Sequence, residues 1–117
     1  MAGYRRTMSA STLIGDKVKN MHGEDLGTIE EIMLDVEIGR ISYVVISHGG
    51  ILGVGDKLFA VPWQALTLSE EEKVFYIDVE KELFETAPGF DKDDWPEHPT
   101  HDWLVSVYEF YGHSPWW

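Results

Sequence analysis

The chain has 117 residues, 44% of them apolar, and no cysteine, so it is long enough for one domain with a real core but has no disulfide, thiolate metal site or cysteine nucleophile. The sequence contains no apolar run of about 18 residues that would span a membrane and no secretory signal, and it fits a cytoplasmic protein. The net charge is −12, with thirteen acidic and three basic residues in 67–117, which excludes direct nucleic-acid binding and favours solubility or a basic protein partner.

The first two thirds of the chain have the pattern of short β-strands joined by turns. The third predicted strand is apolar on both faces and is therefore expected at the centre of the sheet, and Pro62 should end the fourth strand or place it at an edge. This texture predicts a small antiparallel barrel or sandwich of five to six strands. The predicted strands are residues 13–19, 26–36, 41–47, 58–63, 65–68 and 74–79.

The second predicted strand, 26–36, contains a break in its apolar alternation. Ile32, Leu34 and Val36 share one phase and are expected to point inward, whereas Leu26 and Ile29 are out of phase with them. We therefore expect a β-bulge at Glu30-Glu31, and a hairpin loop at 37–40 in which Gly39 has a positive φ.

Residues 81–117 differ in character from the preceding strands. A short helix is expected at 81–86, followed by an acidic loop at 90–99. Thr100 is a suitable N-cap for a helix over 101–111, whose apolar residues recur at helical spacing and which Gly112 should end.

The segment His48 to Lys57, HGGILGVGDK, resembles a phosphate-binding loop only in composition. Asp56 stands where a P-loop needs lysine, and the segment leads into a strand rather than a helix. We interpret it as a glycine-rich connection whose apolar tip, Ile51 and Leu52, is a candidate contact surface. No cofactor is expected.

The sequence contains no complete motif of a known metal site or catalytic site. His98, His101 and Asp102 are the best candidate metal ligands, but they lack the spacing of a known zinc motif and Pro99 interrupts them. No serine elbow and no distinctive carboxylate pair is present. The sequence therefore predicts a protein that is not an enzyme, with a ligand- or metal-binding regulator that uses the loop 91–102 as the alternative.

Aromatic residues concentrate near the C-terminus. They either cover an open side of the β-domain or anchor an interface with another chain. Together with Ile51 and Leu52, the candidate interaction residues are Phe90, Trp95, Trp103, Trp116 and Trp117.

Residues 15–47 and 55–66 resemble the PRC-barrel domain superfamily, which includes the barrel of the photosynthetic reaction centre H subunit and the C-terminal domain of a ribosome-maturation factor. The marks are GEDLG at 23–27, Leu34-Asp35 before Gly39-Arg40, and AVPW at 60–63. The segment 87–96 and the chain ending resemble stand-alone bacterial members. The resemblance implies a small, strongly bent β-barrel and a scaffold or protein-interaction role without a shared catalytic centre.

The sequence therefore predicts three segments: a flexible N-terminus at 1–10, a barrel at 11–80 and an extension at 81–117 packed on the barrel. We expect a protein-interaction or assembly module that self-associates, most simply as a homodimer, because a small sheet has edges to protect. The sequence does not identify a further protein partner.

Overall fold

The structure is a computed structural model that describes residues 6–48, 57–97 and 99–115. Its elements are β-strands with three short helices and one 3-10 turn at Trp63–Ala65. The strands are β1 (Lys17–Asn20), β2 (Asp25–Asp35), β3 (Arg40–His48), β4 (Lys57–Val61), β5 (Leu66–Ser69), β6 (Val74–Ile77) and β7 (Gly89–Asp91); the helices are α1 (Ala10–Leu13), α2 (Lys81–Phe84) and α3 (His101–Phe110).

The described strands form one sheet in the order β5-β6-β1-β2-β3-β4-β7. Neighbouring strands are antiparallel except β1 and β6, which run parallel. The fold is mainly β, and six of the strands fall within 11–80. β3 is an interior strand, flanked by β2 and β4, next to the central strand β2. The sheet is bent but not closed, since β5 and β7 each have one neighbour among the described strands.

The bending is visible in contacts between distant strands. β4 and β6 are four strand spacings apart in the sheet order, which is about 19 Å in a flat sheet. Yet the ring centroid of Trp63, two residues after β4, lies 5.9 Å from that of Phe75 on β6. The sheet therefore curls round a common interior.

Three register shifts show where the chain accommodates this curl. Leu26 and Glu30 are extra residues on β2 relative to β1 and β3, and Ser42 is an extra residue on β3. Bulges of this kind bend a strand and increase its twist. The bulge expected at Glu30-Glu31 is confirmed, and it explains why Ile29 and Ile32 both contact the interior although they are three residues apart.

The two faces of the sheet have separate apolar clusters. The inner cluster includes Val44 and Ile46 of β3 with Phe59, Phe75 and further residues from β1, β2 and α2. The outer cluster joins Tyr43 and Val45 of β3, and Leu58 and Ala60 of β4, to Val107 and Tyr108 of α3. Because β3 contributes to both clusters, its apolar character on both faces is explained.

Several local expectations are confirmed. Gly39 has φ +72° in the β2–β3 hairpin, and Gly112 has φ +75° after α3. β4 ends at Val61, before Pro62. Thr100 caps α3, because its Oγ1 accepts a hydrogen bond from the backbone N–H of Trp103 over 3.1 Å.

Three other expectations are wrong. Residues 13–15 are not part of a strand: Leu13 ends α1, and the chain turns through Gly15 with φ +95° before β1 begins at Lys17. Val36 and Leu34 are largely exposed rather than buried, although Leu34 lines the inner groove, because β1 pairs with β2 only as far as Thr28 and no other described strand pairs with that edge of β2. The acidic loop also begins as β7, which pairs with β4.

Candidate functional site

Three of the aromatic residues predicted at the interaction surface, Phe90, Trp95 and Trp103, pack on the outer cluster. The ring of Trp103 on α3 meets that of Tyr43 edge-on at a centroid distance of 5.4 Å. Phe90 on β7 lies 5.0 Å from Trp95 and 6.4 Å from Trp103. All three predicted residues are half-buried, so a large part of their apolar surface attaches the C-terminal segment to the sheet.

The other predicted contact residues cannot be located in the same way. Ile51, Leu52, Trp116 and Trp117 lie outside the described residues, as does His98. His101 and Asp102 are exposed in the first turn of α3. Within the described parts of the chain, no three histidine or acidic side chains come together as a metal site.

An apolar groove of about 470 Å³ opens on the inner side of the bent sheet. Its size is in the range of sites that bind ligands or side chains of a partner. It is lined by side chains of the N-terminal segment, of β2 and β3 near the hairpin that joins them, of the 3-10 turn, and of β5 and β6. The lining residues are Arg6, Met8, Ala10, Leu13, Ile32, Leu34, Ile41, Trp63, Leu66, Thr67, Leu68 and Phe75.

The β2–β3 hairpin continues this apolar surface beyond the groove. Leu34, which lines the groove, is 62% exposed, and Val36 at the turn is 86% exposed. Ile38 is also exposed. β1 pairs with β2 only as far as Thr28, and β4 pairs with β3 only from Val44 onward. The end of the hairpin is therefore a two-stranded ribbon with exposed apolar side chains.

Strand β5 forms one wall of the groove, and the edge of β5 that is not paired with β6 faces the groove. Leu66, Thr67 and Leu68 all line the groove, although successive side chains of a strand point to opposite faces. Three consecutive lining residues indicate that the groove contacts the strand edge-on. Among the described strands, β5 pairs only with β6, so its other edge offers backbone hydrogen-bonding groups to a partner.

The β2–β3 hairpin and the turn after β5, which adjoin the groove lining along the chain and are called its rim, are acidic in composition. The charged residues of the neighbouring hairpin and of the turn after β5 are seven acids and, with Arg6, three bases, which leaves a net charge of −4. Arg6 forms an ion pair with Glu70. These residues are Glu30, Glu31, Asp35, Glu37, Arg40, Glu70, Glu71, Glu72, Lys73 and Arg6.

Two tyrosines bury their hydroxyl groups without a hydrogen-bond partner among the described residues, Tyr43 and Tyr111. Burial raises the pKa of both phenols above the usual value. Tyr76 differs, since a hydrogen bond to Glu72 is the main cause of its raised pKa. Tyr43 faces α3, and Tyr111 packs against the inner cluster; neither is among the residues that line the groove.

The groove was not predicted from sequence. The phase of Ile32 and Leu34 on β2 was a partial signal, because both residues do face the groove. Arg6 and Met8 carried no signal, since they come from a segment without regular secondary structure. Their position depends on the curl of the whole sheet.

Comparison with known proteins identifies a family. The PRC-barrel domain family matches residues 5–84, about two thirds of the chain. No curated protein matches the sequence. No helix in the described parts of the chain is long and apolar enough to cross a membrane. The match covers β1 to β6 and α2 together with the groove, and the chain belongs to the PRC-barrel domain family.

Proposed function

We propose that this protein is a cytoplasmic, non-enzymatic scaffold or interaction module that binds another protein through the apolar groove and the adjoining β2–β3 hairpin. Membership of the PRC-barrel domain family suggests, in general terms, a protein-interaction module. The cysteine-free sequence and the lack of a catalytic motif agree with the proposal.

One observation carries the proposal: the exposed apolar side chains are continuous with the groove. Leu34 belongs to both surfaces, and Met8 at the groove is also exposed. Apolar patches that a monomer leaves in water are typical of binding sites. A partner that covers them would remove apolar surface from water and gain about 25 cal/mol per Å² of it.

The predicted aromatic surface contributes less to this proposal. Phe90, Trp95 and Trp103 already pack within the chain, which leaves less of their surface for a partner. The groove and hairpin have no such internal cover at Leu34 and Val36.

The proposal is tested with a pair of matched leucine variants. Leu34→Gln changes the groove, whereas Leu83→Gln changes a leucine of similar exposure, 51% against 62%, on α2. Affinity purification of the wild type and both variants from the source cells, with quantitative mass spectrometry, should give a stoichiometric protein that only Leu34→Gln fails to retain. No stoichiometric protein, or equal retention by both variants, would contradict the proposal.

Self-association is a second candidate, favoured by the free edges of the hairpin ribbon. A homodimer through this ribbon would cover Val36 and Ile38. The net charge of −12 opposes it, because two copies repel each other. Light scattering after size exclusion should then give twice the 13.4 kDa monomer mass, more so at high salt. A monomer mass at every protein and salt concentration would rule out the dimer.

A further inference from the structure

From the acidic rim and the open edge of β5 we infer that the groove binds an extended, apolar segment of another protein that carries Lys or Arg beside its apolar residues. This inference rests on the proposed function and adds the chemistry of the partner. A second copy of the chain fits less well, since its own hairpin is acidic.

The floor of the groove is apolar and therefore favours apolar side chains on the partner. Ile32, Ile41 and Trp63 are half-buried in it, and they pack against the inner cluster. A volume of about 470 Å³ accommodates a few aliphatic or aromatic side chains of a partner. Removing each such side chain from water stabilises the complex.

The edge of β5 calls for an extended backbone. A segment that lies along Leu66–Ser69 can hydrogen-bond to the side of this strand that no other described strand covers, and so add to the sheet. Its alternate side chains would then point into the groove beside Leu66 and Leu68.

The rim calls for positive charge. The segments that adjoin the lining residues along the chain carry seven acidic side chains against three basic ones, and Arg6, which lines the groove, is paired with Glu70. Lys or Arg on the partner segment would meet this net negative field, which speeds association and rejects acidic segments.

Helix α2, which lies at the opposite end of β3 from the groove, provides matched control positions. The ring of Phe84 on α2 lies 5.4 Å from His48 at the last position of β3. Ile41, which lines the groove, is near the first position of β3. These ends are about 23 Å apart along the strand, so Glu82 and Leu83 on α2 are remote from the groove.

The test uses a random-peptide phage library selected on the full chain. We expect enriched peptides in which Lys or Arg flanks two or more apolar residues. Synthetic copies should bind Leu34→Gln about tenfold more weakly than wild type, and Leu83→Gln as wild type. Glu37→Lys should weaken binding and Glu82→Lys should not, and the affinity should fall as salt is raised, because salt screens the charges.

Three results would overturn the inference: no enriched peptide, enrichment of acidic or uncharged peptides, or peptides that bind Leu34→Gln as tightly as wild type. If the stoichiometric partner of the affinity purification still depends on Leu34 in these cases, the proposed function stands and only the partner chemistry is wrong. If that partner is also absent, both fail.

Discussion

Two tyrosines of the outer cluster, Tyr43 on β3 and Tyr108 on α3, differ in whether their hydroxyl groups have a hydrogen-bond partner. The Tyr108 hydroxyl on α3 donates a hydrogen bond of 2.9 Å to the carbonyl oxygen of Ser42, the extra residue of the β3 bulge. The Tyr43 hydroxyl is buried and has no such partner among the described residues. A bulge leaves backbone groups unpaired, and α3 supplies one of the missing bonds.

We therefore predict opposite outcomes for two identical substitutions. Tyr108→Phe should lower the free energy of unfolding by about 1 kcal/mol, because it removes the hydrogen bond to the carbonyl of half-buried Ser42. Tyr43→Phe should leave stability unchanged or raise it, since it removes an unpaired hydroxyl. Urea unfolding of both variants provides the comparison, and an equal loss in the two would show that the Ser42 bond is not the cause.

The buried phenols also predict a dependence of stability on alkaline pH. The folded state raises the pKa of Tyr43 and Tyr111 above the ordinary value of 10.0. Neutral phenols are therefore fully compatible with folding below pH 10, and stability is lost as pH rises above 10 toward the folded-state pKa. The unfolding free energy should fall above pH 10 in the wild type and fall less in Tyr111→Phe; parallel curves for the two proteins would contradict this.

Position 27 requires glycine for a reason that the GEDLG motif alone does not reveal. Its φ is +133°, and a Cβ there would lie 1.9 Å from the carbonyl oxygen of Ser47. Only glycine allows β2 and β3 to approach so closely at this point. The resemblance to the family includes this glycine, but the need for glycine arises from the pairing of β2 with β3.

At the scale of elements, α3 and the strands were predicted for different reasons. The start of α3 follows from a local signal, because Thr100 caps the helix through its own side chain. The path of β2 depends on bulges at Leu26 and Glu30, and only the second left a trace in the sequence. The exposure of Leu34 and Val36 was missed because alternation gives the face of a strand but not the length over which neighbours cover it.

The N-cap of α3 gives a prediction for this element. Thr100→Ala should lower the free energy of unfolding by about 1 kcal/mol, because the N–H of Trp103 loses its partner at the helix N-terminus. Ser106→Ala is the control, since its exposed hydroxyl bonds to the carbonyl of Trp103 within the same helix. Chemical denaturation that shows the larger loss for Ser106→Ala would contradict the role assigned to the cap.

At the scale of the whole molecule, the family and the bent sheet were predictable and the groove was not. The ordered marks from Gly23 to Trp63 pointed to the family that matches residues 5–84. The groove, in contrast, joins Arg6 and Met8 to side chains of β2, β3, β5 and β6. Such a surface exists only after the sheet has curled, so no local pattern in the sequence describes it.

The net charge of −12 also acts on the whole molecule. A charge of this sign and size opposes the approach of a second copy and attracts basic molecules. The apolar groove has an acidic rim, so general attraction and local contact favour the same kind of segment.

The most direct test of the groove as the protein-binding surface is photo-crosslinking in the source cells, with benzoylphenylalanine introduced at position 34 or at position 83. Both positions are exposed leucines, but only Leu34 lines the groove. We predict one discrete crosslinked protein from position 34, joined through a segment rich in apolar and basic residues, and none from position 83. Equal crosslinking from both positions, or crosslinking from position 83 alone, would contradict the assignment of the groove as the binding surface.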